Sequence, residues 1–158
     1  MKIAKHWLLA GVLLIAGGAR AEDYTDAVSM LGGGLEKPAP SMAADVQAYR
    51  VDAARHIYKN FPELVHHGML PSRLHTVAIV ETTIAEDGSV EKIEVVREPS
   101  AKAATPYILG MIQAAQPYPV APRLGRVVYR DIWLIVQGRF QLDAVTEGQE
   151  HRSAQARQ

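Results

Sequence analysis

Four histidines, His56, His66, His67 and His75, are the first residues whose chemistry calls for a reading. Neighbouring histidines on a helix or turn point about 100° apart, and no acidic or cysteine partner sits at ligand spacing. They read as solvated surface groups rather than a metal set. Glu81 and Glu94 fall on two segments of strand type and would face each other across a hairpin; on an open sheet such acids are solvated rather than hydrolytic. Ser100 has no histidine in a recognisable neighbouring motif, so it does not assemble a Ser/His/Asp site. Tyr129 and Trp133 share an alternation phase and read either as a stacking platform or as the aromatic flank of a sheet. No cofactor, metal site or catalytic residue is expected.

Composition narrows the class further. The chain has 158 residues, enough for one domain of ordinary size, and no cysteine. Disulfides, a thiol nucleophile and a lipid-modified cysteine are therefore excluded. Lys2, Lys5 and His6 precede an apolar run from Trp7 to Ala16, and Ala19-Arg20-Ala21 follows with small residues where a signal peptidase reads. Residues 1–21 are expected to be a cleaved secretory signal, and the run is too short for the roughly 20 apolar residues of a spanning helix. An uncleaved anchor facing the periplasm is the alternative. Without that segment the chain carries 14 basic and 17 acidic residues, a net charge of −3 with neutral histidines. No basic excess draws it to nucleic acid or anionic lipid.

The elements that position these residues are legible in part. Residues 22–44, with Gly32-Gly33-Gly34, Pro38 and Pro40, read as a flexible linker, and 143–158 as a disordered tail. Asp45 can cap a helix whose apolar positions are Val46, Tyr49, Ala53, Ile57 and Phe61. Leu74 to Ile84 and Val90 to Arg97 read as the strands of a hairpin about Glu86-Asp87-Gly88-Ser89. Thr105-Pro106 reads as the N-cap and first position of a second helix, ended by Pro117. The stretch "PYPVAP", Pro117 to Pro122, holds no acid, base or thiol, so its purpose is shape. It carries the chain, extended, from the helix layer back to the sheet. Val127 to Leu142 reads as one long closing strand at a sheet edge. Ile132, Leu134, Val136 and Phe140 lie on one face, with Trp133, Ile135, Gln137 and Arg139 on the other.

The expected fold is α+β: a three-stranded antiparallel sheet packed against two helices, in the order helix-strand-strand-helix-strand, over residues 45–142. Phe61-Pro62, "VAIVETTIAEDGSVEKIEVV" (Val77 to Val96), "PYPVAP" and "IWLIVQGRFQL" follow one another in an order that resembles the C-terminal domain of the TonB family; the C-terminal domain of TolA has a related build. The similarity covers Tyr49 to Leu142, about 60% of the chain. The resemblance implies a non-enzymatic periplasmic interaction module that binds an extended peptide of an envelope or outer-membrane protein, with a link to outer-membrane transport. The partner strand would add beside the closing strand, where Tyr129, Arg130, Trp133, Ile135, Gln137 and Arg139 lie. A homodimer through that last strand is the other occupant of such an edge. The chain departs from the family in its short spacer, residues 22–48, and in having Tyr58-Lys59-Asn60 before Phe61-Pro62. The second reading, from another class, is a small periplasmic enzyme or metal-binding protein on a similar α+β sandwich.

Overall fold

The computed structural model describes residues 37–68, 70 and 76–145. The expected signal, most of the linker, His75 and the tail beyond Val145 lie outside the described residues. Helix α1, Val46–Asn60, begins where the sequence predicts: Asp45 is extended, and its carboxylate accepts the Ala48 N–H at 2.8 Å. That bond satisfies one of the donors a helix start leaves open. Tyr49, Ala53 and Ile57 recur on one face and are buried, while Val46 faces outward. Phe61 closes α1 and leads into a 3-10 turn, Pro62–Leu64.

Strands β1, Thr76–Ile84, and β2, Val90–Arg97, form the expected hairpin. Helix α2 follows, Ala104–Ala114. Its start differs from the expectation. Ala103 is the capping residue and makes no side-chain bond, because the Thr105 hydroxyl donates instead to Glu98 at 2.6 Å. Pro106 still lies within the first turn, where a missing N–H costs nothing.

The closing segment is the main correction. It is two strands, β3, Val127–Val136, and β4, Arg139–Leu142, so the sheet has four antiparallel strands in the order β2-β1-β3-β4 rather than three. Gln137 and Gly138 both take a positive φ, 51° and 76°. Two such residues in succession make the tight reversal whose twist suits a hairpin. The reversal also changes sides: Phe140 pairs with Ile135, so it joins the face of Trp133 rather than that of Ile132.

Both helices cover the face that carries Ala78, Val80, Ile84, Tyr129, Trp133, Phe140 and Leu142, all buried. The fold extends beyond its expected bounds at both ends. Ser41 and Ala43 are buried before α1, with the Ser41 hydroxyl donating to Asp52 at 2.6 Å. Val145 is buried after β4, where its carbonyl accepts the Tyr58 hydroxyl at 2.5 Å.

The proline-rich stretch packs along the first hairpin. Tyr118 is buried and its N–H donates to the Gly88 carbonyl at 2.8 Å. Gln116 Oε1 accepts the Val90 N–H at 2.7 Å, and the Val120 carbonyl accepts the Ser41 N–H at 2.8 Å. Gly88 has φ +88°, and a Cβ built there overlaps the Tyr118 carbonyl oxygen. Glycine is thus required twice, by backbone conformation and by the close approach of another chain segment.

Gly88→Val is expected to cost about 2–5 kcal/mol, combining strain with overpacking. Gly88→Ala should lose most of that too, since the overlap begins at Cβ. Denaturant titration of the three proteins measures both; a loss under about 0.5 kcal/mol for Gly88→Ala would show that the turn does not hold Tyr118.

Candidate functional site

The six residues singled out on the closing segment are not equivalent. Tyr129 and Trp133 point into the core: Tyr129 meets the Tyr49 ring edge-on at 5.8 Å, and Trp133 is 2% exposed against Phe140 at 5.4 Å. The stacking platform is therefore an interior feature. Ile135 is half-buried between Thr76 of β1 and Phe140 of β4. Gln137 is in the reversal and Arg139 is exposed opposite Val136. Arg130 stands on the uncovered face, where its Nε donates to Glu81 at 2.6 Å.

Nor is the whole closing segment an edge. β4 occupies the outer side of Trp133 to Val136, and the Asp143 N–H donates to the Ile132 carbonyl at 3.0 Å. A homodimer or a peptide paired along the whole of β3 has no berth there. Beyond β4, the outer side of β4 itself is lined by Val65 and His66, whose N–H donates to the Phe140 carbonyl at 2.8 Å. The outer side of Val127 to Asp131 has no strand partner among the described residues. Antiparallel ladders alternate which residues bond to which neighbour. Since Ile132 bonds toward Asp143, the main-chain groups of Val128 and Arg130 face outward, and Val128 is 39% exposed.

At the inner end of this free edge sits a feature the sequence reading missed. Asp131 is 3% exposed, and its carboxylate accepts from Arg50 Nε at 3.2 Å, Arg50 Nη2 at 3.0 Å and the Ile132 N–H at 2.8 Å. Arg50 Nη2 also donates to Asp143 at 2.8 Å. One guanidinium thus joins α1, β3 and the turn after β4. The available signal was phase: Asp131 lies two residues from both Tyr129 and Trp133, on the side that goes inside. Burial outweighs the Arg50 guanidinium and pushes the Asp131 carboxyl up to about 6.

The remaining candidates form no reactive cluster among the described residues. His56 is buried, its Nε2 lies 2.7 Å from the Ala115 carbonyl as donor, and burial lowers its pKa. His66 and His67 follow the 3-10 turn, on different elements from His56. No group of three or more histidines, acids or cysteines that could hold a metal occurs among the described residues. Glu81 and Glu94 do face each other, but each has its own cation, Arg130 at 2.6 Å and Lys92 at 2.7 Å. Ser100 lies in the exposed loop before α2. A cleft of about 300 Å³ beside α2 is lined by alanines, Ile135 and two hydroxyl side chains, Thr76 and Tyr107. The Tyr107 hydroxyl donates to the Gly138 carbonyl at 3.1 Å, and burial pushes it up to about 12, away from acid–base work near neutrality.

The Asp131 proton gives a pH test. A carboxyl raised above its ordinary 3.8 holds a proton that the unfolded chain releases, so its contribution to stability is full below about pH 4 and lost as pH rises through about 6. Wild type should therefore gain on Asp131→Asn by on the order of 2 kcal/mol as pH falls from about 7 to about 4. His56 titrates in both proteins and leaves the difference untouched. Parallel melting curves at several pH values measure it; a difference flat with pH would mean Asp131 keeps an ordinary pKa.

Comparison of the chain with family models, with curated proteins and with solved structures returned no match.

Proposed function

We propose that this chain is a non-enzymatic periplasmic interaction module resembling the TonB C-terminal domain, and that it captures an extended peptide of an envelope protein by strand addition. The observation that carries the reading is the free outer edge of Val127 to Asp131. It pairs with β1 in unbroken register on its other side, so the edge is straight enough to template another strand. The sequence supplies the periplasmic address and the resemblance supplies the envelope partner, with its link to outer-membrane transport.

Energetics confine the berth. Clearing β4 for a longer peptide would expose Phe140 and Leu142, both fully buried. Losing side chains of this kind costs roughly 2–5 kcal/mol each, whereas each new main-chain hydrogen bond returns only about 0.5–1.5 kcal/mol. β4 stays in place, and the peptide aligns end to end with it. The contacts then come from Val128 and Arg130 and, at the inner end, from the Arg50–Asp143 pair. Trp133 and Ile135 support the site from within.

Proline at Val128 removes an outward-facing N–H and leaves the β1 ladder intact, whereas proline at Ile135 strikes a donor directed at β1. Val128→Pro should keep the fold but lose peptide binding by at least about tenfold, and Ile135→Pro should unfold the sheet. Amide shifts on titration with peptides from the periplasmic segments of outer-membrane proteins are the measurement. Full binding by folded Val128→Pro would move the site away from this edge.

A further inference from the structure

The opposite edge of the sheet, β2, is the other row of main-chain groups that has a strand neighbour on one side only among the described residues. The Ala85 N–H donates to Ser89, so Thr83·Lys92 and Glu81·Glu94 are the pairs that bond across the hairpin. The main-chain groups of Ile93 and Val95 consequently face outward. The edge is limited at both ends. Glu91 and Val96 are each an extra residue relative to β1, and the Val90 N–H is taken by Gln116. What remains regular is Lys92 to Val95.

This short run is self-complementary. Lys92 and Glu94 lie on the uncovered face, exposed, with Nζ and Oε2 2.7 Å apart. Ile93 is half-buried on the helix-covered face. Two copies of the strand can pair antiparallel only about a twofold axis, and charge chooses among the possible axes. An axis at Lys92 opposes two lysines, and an axis at Glu94 opposes two glutamates. An axis at Ile93 sets Lys92 opposite Glu94 of the other copy, twice, and packs the two Ile93 side chains together at the centre. That register also makes Ile93 with Ile93 the central bonded pair, as the outward direction of its main-chain groups requires.

We propose that β2 is the interface of a homodimer, two copies joining antiparallel about a twofold axis at Ile93 into one eight-stranded sheet. The occupant is a second copy of this chain, because the alternation of sign on the edge suits its own reverse. Lys92 and Glu94 pair within one chain when it is alone and exchange partners in the dimer, so the charges select the register more than they add affinity. The interface falls in the small class, under about 1,200 Å², and the dimer is accordingly weak and reversible. It leaves the free half of β3 at each outer end of the joined sheet, so the proposal stands independently of peptide capture.

A charge swap tests it. Sedimentation of the full chain as purified, over about 1 µM to 1 mM, should show a monomer–dimer equilibrium. Lys92→Glu and Glu94→Lys should each weaken the dimer at least about tenfold, because each opposes like charges across the axis. The double variant Lys92→Glu with Glu94→Lys should return to within about threefold of wild type. Circular dichroism on each variant separates a lost interface from a lost fold, and both side chains are solvent-exposed. A wild type that stays monomeric throughout overturns the proposal. So does a dimer that neither single reversal weakens, or a swap that fails to restore it.

Discussion

The buried carboxylate of Asp131 is the constraint around which the described structure is arranged. It sits in the middle of β3, on the side that both helices cover, and an unpaired charge there would cost about 3–5 kcal/mol. Arg50 answers it from α1, and the same guanidinium reaches Asp143 just past β4. The pair is poor evidence of net stability, since apolar residues of equal volume often serve as well. Its raised pKa says the same, because burial prevails over the cation. What the pair fixes is position. α1 can lie over β3 in only one register, and the chain must turn after Leu142 so that Asp143 meets the guanidinium.

A second tie sets the other side of the sheet. Tyr118, Gln116 and Val120 bond in turn to Gly88, Val90 and Ser41, and the Tyr49 hydroxyl donates to the Pro119 carbonyl at 2.9 Å. The proline-rich stretch thus holds the hairpin turn, the first described residues and α1 through its main chain, and the Gln116 side chain just before it adds the bond to Val90. This explains a stretch without reactive side chains: its donors and acceptors are the functional groups, and the prolines keep them extended.

The sequence was most legible where local chemistry decides. Asp45 and the Asp87-Gly88 turn act within a few residues, so the α1 start and the first hairpin could be read directly. The closing segment failed for an equally physical reason. Ile132, Leu134, Val136, Phe140 and Leu142 continue in phase through Gly138, so a period of two shows no break at the reversal. A two-residue turn nevertheless moves Phe140 and Leu142 onto the other face, opposite Ile135 and Trp133. Only Gly138 between apolar alternations hinted at it. Asp131 escapes a reading that weighs polarity above phase, and its partner lies 81 residues away, beyond any local pattern. The six residues proposed for the site therefore divide. Tyr129 and Trp133, placed by type, are buried, whereas Arg130, Gln137 and Arg139, placed by position, reach the surface.

The two edges of the sheet illustrate how one fold separates its contacts. β2 is irregular at both ends, charged and capped by Gln116, the devices by which sheets limit indiscriminate pairing. What such limits leave is a short run whose Lys92 and Glu94 are complementary to the same run reversed. The β3 edge is protected differently. β4 fills one half with Phe140 and Leu142, side chains too deeply buried to yield, and leaves five residues whose ladder to β1 is unbroken. Brevity, rather than charge, is the safeguard there. A strand that enters must be short and must end against Arg50 and Asp143. The interaction that orders the core thereby also sets the length of segment the free edge can accept.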